Sequence, residues 1–357
     1  MGALARLLAE APQSWGKFVM GKGFRENLRP IIAALLFLSG LAGVAHAGLI
    51  PAGTDILFST NIYSIYNKNG LHFMSPDQVF SSAGNLYVTN DQILKAYKPK
   101  RWFMSFGQGL DALALFNDPA TGQLTTYFST GRTFSSGTYN KNIGEGDLLN
   151  RDGTVVASNQ DLLSKFTTGT SKDLGLDAAD VVNPGSGQEI WFSTRSGFHS
   201  DALGRDVGAG DLLSNDGELI ATNADLLAAF APSNPGTNYG LDAVHVISAA
   251  PGEDPVVLFS TSKGFYSTTL NRKITPGDIL SNTGEVVMTN NELLKNFGWH
   301  LGNPGVDAIA FYPPVGATIL SHTLPQLPGN GGQTTPDPAT LCLLALGSGI
   351  VYVSKKR

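Results

Sequence analysis

A stretch of 23 residues, TPGDILSNTGEVVMTNNELLKNF from Thr275 to Phe297, recurs through this chain. Copies begin at Gly208 (GAGDLLSNDGELIATNADLLAAF) and Gly144 (GEGDLLNRDGTVVASNQDLLSKF), and a more divergent one begins at Ser75 (SPDQVFSSAGNLYVTNDQILKAY). Two further markers keep step with it. The runs GLDALALF, GLDAADVV, GLDAVHVI and GVDAIAFY place Asp111, Asp177, Asp242 and Asp307 at spacings of 66, 65 and 65 residues, and an FST triplet begins at Phe58, Phe128, Phe192 and Phe259. Self-similarity at a fixed period means that each unit is one supersecondary element whose apolar face is buried only against its neighbours.

Within each unit the residue types assign the pieces. PVVLFSTS, EIWFSTRS and LTTYFSTG are rich in β-branched and aromatic residues and read as strands. The LDA run is also strand-like, and AAPGED, NPGSGQ or NDPATGQ joins it to the FST run as turn chemistry, which predicts an antiparallel hairpin. A more variable loop follows, and then a second hairpin whose turn carries Gly84, Gly153, Gly217 or Gly284, where a positive φ is required. The period then becomes helical. Thr89, Ser158, Thr222 and Thr289 each stand three residues before Gln92, Asp161, Asp225 or Glu292, a capping-box spacing, with the two Asp side chains short for the task.

Four strands and a short helix per 64 to 70 residues predict an all-β fold with short helices, namely a four-bladed β-propeller, with an open stack of the same repeats as the alternative. The chain begins its first repeat at the FST strand and ends its last at the LDA strand, so residues 305–312 are expected to pair with residues 55–60. Thr318 to His322 resembles a fifth FST strand and competes for that partner.

The two ends differ in kind from the repeats. Lys22, Arg25 and Arg29 precede an apolar run from Ile31 to Val44 and then Ala45-His46-Ala47, which is the layout of a signal peptide cleaved between Ala47 and Gly48. Residues 1–19 read as an upstream extension of it, and an uncleaved anchor is the alternative, although about 15 apolar residues are short for ~30 Å of hydrocarbon. Residues 48–324 form the repeat domain and 325–335 a Pro/Gly-rich linker. Residues 336–357 comprise Pro336-Asp337-Pro338, an apolar run from Ala339 to Val353, and Lys355-Lys356-Arg357. This tail resembles the PEP-CTERM sorting signal of Gram-negative bacteria, with Asp337 where the family usually has Glu. The resemblance covers the last 22 residues and implies delivery rather than activity: export across the inner membrane, transient membrane association through the tail, an exosortase-type enzyme as partner, and the envelope or extracellular matrix as destination. An ordinary C-terminal anchor is the alternative.

Without both ends, 288 residues carry 16 Lys and Arg against 26 Asp and Glu, a net charge near −10, which argues against nucleic acid as a partner. The sole cysteine, Cys342, lies in the tail, so the repeat domain has no disulfide to rely on.

Motifs for catalysis are absent from the sequence: there is no nucleophile elbow, zincin helix or phosphate loop. The six histidines share no metal-ligand spacing and read as surface or loop residues. Asp147, Asp211 and Asp278 recur, with Gln78 in the first repeat, and this suits an Asx-type turn better than catalysis. The favoured function, implied by the resemblance of the tail, is a non-enzymatic exported envelope or extracellular-matrix protein whose propeller loops are offered to an exopolysaccharide or another envelope component. A secreted glycoside hydrolase or lyase on the same scaffold is the alternative, and a single acidic or histidine pair facing across the ring would distinguish it. The loops 131–145, 195–209 and 262–276, with Tyr139, Phe198, His199, Phe265 and Tyr266, are the expected ligand contacts. Asp111, Asp177, Asp242 and Asp307 are expected to meet at the axis, where they either hold Ca²⁺ or bond to backbone N–H groups.

Overall fold

A computed structural model describes residues 49–312, apart from 52, 69, 101–107, 170–171, 185–187, 250–253 and 302–303. The signal-peptide region, Thr318 to His322 and the sorting tail lie outside the described residues.

Four antiparallel sheets of four strands make four blades. Blade 2 runs outward from the axis as Ala112–Asn117, Leu124–Ser129, Leu148–Asn150 and Val155–Ala157. Blade 3 is Ala178–Asn183, Glu189–Ser193, Leu212–Ser214 and Glu218–Ala221. Blade 4 is Ala243–Ser248, Val256–Ser260, Ile279–Ser281 and Val286–Met288. Blade 1 takes its inner strand from the far end of the chain, with Val306–Tyr312 beside Asp55–Thr60, Val79–Ser81 and Asn85–Val88. The ladder runs antiparallel from Asp55 opposite Tyr312 to Thr60 opposite Val306. Main-chain pairing between the first and last strands closes the ring, so the open stack is not what forms.

The inner strands touch in the cyclic order 1, 2, 3, 4, and those of blades 2 and 4 also approach across the axis. Alanine permits this close approach. Ala112, Ala178 and Ala243, each directly after its repeated Asp, share buried clusters with Ala179, Val244 and Ile309 of the following blade.

Each residue of the FST triplet has one task in all four repeats. Phe58, Phe128, Phe192 and Phe259 are fully buried. Each serine hydroxyl donates to a carbonyl at the start of the next blade's inner strand: Ser59 to Leu110 (2.8 Å), Ser129 to Leu176 (3.2 Å), Ser193 to Leu241 (3.1 Å) and Ser260 to Val306 (3.1 Å). These four bonds form a second closed circuit. Each threonine hydroxyl donates to the carbonyl two residues on (Ile62, Arg132, Ser196, Lys263) and so fixes the turn that follows.

Helices α1 (Asn90–Ile93), α2 (Asn159–Leu163), α3 (Asn223–Leu227) and α4 (Asn290–Leu294) each run into a 3₁₀ turn ending at Tyr97, Phe166, Phe230 or Phe297. All four have complete capping boxes, and the short carboxylates of Asp161 and Asp225 reach the cap N–H at 2.9 Å as Glu292 does at 2.8 Å. The Asp147, Asp211 and Asp278 carboxylates accept from Gly144, Gly208 and Thr275 at the head of the hairpin and from Asn159, Asn223 and Asn290 at the helix start. They tie hairpin to helix, and Gln78 makes the first of these bonds in blade 1. The turn glycines Gly84, Gly153, Gly217 and Gly284 have φ of +83°, +103°, +90° and +97°.

The variable segment between the second and third strands is a further hairpin in every repeat: Phe134–Ser136 with Lys141–Ile143, Phe198–Ser200 with Arg205–Val207, and Phe265–Ser267 with Arg272–Ile274. In blade 1 Ser64–Asn67 pairs with both Leu71–Met74 and Trp299–Leu301. These strands are short. Ser136, Ser200 and Ser267 anchor them by donating to the carbonyls of Tyr97, Phe166 and Phe230 at 2.7–2.8 Å.

Candidate functional site

The repeated aspartates gather at one end of the axis because each stands at the start of an inner strand. The Asp177 and Asp242 N–H groups are held by the carbonyls of Ser193 (3.1 Å) and Ser260 (3.2 Å). The residue after each FST triplet faces this mouth, and there the repeats disagree: Asn61, Gly131, Arg195 and Ser262. Ser262 donates to Asp242, and Asn61 accepts from the Gly305 N–H at 2.9 Å. A Cβ on Gly131 would lie 2.7 Å from Asp111 Oδ1, so this position stays bare.

Arg195 reaches over that bare position. Its guanidinium contacts Asp111, bonds to the Gly131 carbonyl at 3.1 Å, and pairs with Glu145 at 2.9 Å and Asp177 at 3.4 Å. One cation from blade 3 thus bridges to blade 2 amid five carboxylates. Burial pushes the Asp177 carboxyl up to about 7, reinforced by the charges of Asp242 and Glu145. Asp242 rises to about 6, again from burial, with the Ser262 bond and Arg195 pulling it back. Asp307 is held well above the usual carboxylate range by burial and then by Asp242 and Asp177, against the pull of Arg195. Burial also raises Glu145, and it draws Arg195 below the usual arginine range while Asp307 and Asp242 oppose that fall.

The aspartates converge as their spacing predicts, and their compensating charge is a guanidinium. Among the described residues no group of three or more His, Cys, Asp or Glu is placed to hold a metal ion. The expected result is a melting temperature unchanged between EDTA and millimolar calcium, since only a ligand of the folded state would raise it. A rise with calcium would show that the ion displaces Arg195.

The expected loop contacts divide. Phe198 and Phe265 point inward and pack edge-on against Phe166 and Phe230, so they belong to the core. Tyr139 is exposed but folds back, stacking on Tyr97 and donating to the Gly153 carbonyl at 2.8 Å. Tyr266 bonds to Asn271, and His199 pairs with Asp206 at 2.8 Å at an exposed hairpin. The structure does not bring these five together at one site.

One histidine departs from the surface or loop reading. His245 lies on the inner strand of blade 4, 8% exposed, with Nδ1 3.0 Å from Asp180 of blade 3. Asp180, 4% exposed, also accepts from the Val181 and Val246 N–H groups, and His245 packs on the Phe311 ring with centroids 4.5 Å apart. The His245 Nε2 is buried without a protein partner. Both residues stand three places after a repeated Asp, where blades 1 and 2 have Ala310 and Ala114. Comparing the repeats position by position, rather than by what they share, would have revealed this pair and Arg195 alike. A scan against protein-family models finds no match to this chain, and neither does a search of the curated proteins.

Proposed function

We propose that this chain is an exported, non-enzymatic protein of the envelope or extracellular matrix that binds polysaccharide on a rigid propeller. The observation that supports binding is the axial mouth, where a partly exposed Arg195 and its carboxylates stand on a ring closed by a main-chain ladder. A preorganised polar cluster of this kind suits recognition of hydroxyl groups. The test is a glycan array probed with the exported protein, on which specific retention is expected. Uniform blank spots would overturn the reading.

Export rests on the sequence of the two ends. Cleavage after Ala47 would leave Leu49 and Ile50, which pack against the blade 1 core, at the new terminus. The intact mass of the protein recovered from the envelope is expected to fit a start near Gly48 and a loss of Lys355-Lys356-Arg357. Retention of the basic end would count against exosortase-type sorting.

A second reading, a secreted hydrolase or lyase, draws on the Asp180–His245 pair, the kind of single pair that such chemistry needs. Polysaccharide incubated with the protein would then release reducing ends or unsaturated products, and His245→Gln would abolish them. Under the binding reading the polymer stays intact.

A further inference from the structure

We propose that the outer hairpin of blade 1 is a self-association surface, on which the edge strand Leu71–Met74 pairs antiparallel with the same strand of a second copy of this chain. The inference goes beyond the polysaccharide-binding reading and stands whatever the axial mouth binds.

Each outer hairpin ends in a strand that, among the described strands, is paired on one side only. Such an edge offers unpaired N–H and C=O groups to any other strand, and a charge placed on it is a usual protection. Three blades carry that protection. Their edge strands are Lys141–Ile143, Arg205–Val207 and Arg272–Ile274, and each opens on a cation. Blade 1 does not, since its edge reads Leu71-His72-Phe73-Met74, one residue longer and without Lys, Arg, Asp or Glu.

The outward positions change with it. In register, Ile65 opposite Phe73 takes the place of Ser135 opposite Asn142, His199 opposite Asp206 and Tyr266 opposite Lys273. Phe73 is 36% exposed and Ile65 is half-buried, whereas their strand neighbours Ser64, Tyr66 and Met74 are buried. The Cβ atoms of such a cross-strand pair lie about 4.5–5.5 Å apart, so Ile65 and Phe73 form one apolar patch. Tyr63, 53% exposed, stands two places before Ile65, and so its Cα lies within about 7 Å along the chain.

A second copy of this chain is the occupant that fits. The repeat domain has a net charge near −10, so two copies repel wherever their charged surfaces face each other. From Asn61 to Ser75 the only Lys, Arg, Asp or Glu is Lys68, which turns back to donate to the Gly84 carbonyl at 2.7 Å. Copies can therefore meet here without opposing charges. A strand paired antiparallel with itself is two-fold symmetric, so the contact satisfies both edges at once and closes at a dimer instead of growing into a fibre. The two three-stranded sheets then become one, with Trp299–Leu301 at either end and the Ile65–Phe73 patches of both copies on the same side. A four-residue strand covers less than the ~800 Å² per partner of a standard interface, so the dimer is a weak one.

The test is sedimentation equilibrium of the full chain, with amide exchange followed at low and high concentration. A monomer–dimer equilibrium with a Kd between about 1 μM and 1 mM is expected. In the dimer the amides of Leu71–Met74 should exchange more slowly than in the monomer, while those of Arg205–Val207 do not change. Phe73→Lys, which gives blade 1 the residue that blade 4 has at Lys273, is expected to weaken the dimer about tenfold or more, because the symmetry brings the two new charges together. Tyr266→Ala, which removes an exposed aromatic from blade 4, should leave it unchanged. A chain that stays monomeric up to about 1 mM, or a dimer that Phe73→Lys leaves intact, would overturn the proposal. So would protection of Leu71–Met74 that does not depend on concentration, which is what pairing with residues 318–322 of the same chain would give.

Discussion

Replacing Ile309 or Phe311 by aspartate is expected to open the ring and with it to unfold the domain. Both side chains are buried on the inner strand of blade 1, in the cluster that also holds Phe58, Phe80 and Phe297. A carboxylate there would lose its water without gaining a partner, and Phe311→Asp would also forgo packing that costs about 3–5 kcal/mol when a buried Phe is cut to Ala. Set against a total stability of roughly 5–15 kcal/mol, either change is large enough to abolish cooperative folding. Ile309→Ala is the milder companion. In it the amides of Asp55–Thr60, which depend on pairing with Val306–Tyr312, should exchange sooner than those of Glu189–Ser193 in blade 3. Equal protection of the two strands would mean that the end-to-end ladder is not what limits local opening.

The second large effect is a pH-dependent loss of stability on removing Arg195. Asp177, Asp242 and Asp307 titrate above their unfolded values, so the native state binds more protons than the unfolded chain from about pH 4 upward, as far as about 6 for Asp242 and about 7 for Asp177. Stability from these groups is therefore greatest at the acid end of that window and falls as pH rises through it. The helix-cap carboxylates Asp161, Asp225 and Glu292 are held below their usual values by their cap bonds, so they act in the opposite sense and lose their contribution as pH drops below about 4. Arg195→Gln leaves five carboxylates without their cation. Its melting temperature should lie closer to the wild type near pH 4.5, where Asp177 and Asp242 are largely protonated, and fall well below it near pH 8, where a buried charge that has lost its partner costs about 3–5 kcal/mol. A pH-independent difference would show that Arg195 acts through packing instead of charge.

Much of this fold is visible in the sequence because repetition samples each local rule four times. Gly84, Gly153, Gly217 and Gly284 mark the same turn, and Thr89, Ser158, Thr222 and Thr289 mark the same cap, so a weak signal becomes a strong one. Closure is legible too, from the order of the FST and LDA runs at the two ends. The outer hairpins are not, since strands of three residues such as Phe198–Ser200 are too short to show a period. Their buried Ser200 looks like any loop serine until the Phe166 carbonyl is seen beside it. For the same reason Phe198 and Phe265 pass for loop aromatics while lying in the core. Arg195 escapes notice because repeats draw attention to what recurs, and it stands at a place after the FST triplet where all four copies differ. Its reach over Gly131 to Asp111 depends on blades 2 and 3 being neighbours, a property of the ring and not of either repeat.

The ladder between Asp55–Thr60 and Val306–Tyr312 also determines how this domain bears a load. Asp55, where the chain enters the ring, stands opposite Tyr312, where it leaves, so the two ends depart from the same edge of one antiparallel pair. In such a pair the hydrogen bonds lie across the strands. Tension between the two ends of the chain therefore falls on the first of these bonds alone and parts them one after another, as in unzipping. A pull between the axial mouth and Tyr312 would instead load the inner strand of blade 1 along its length, so the direction of the pull governs whether the ring peels or holds.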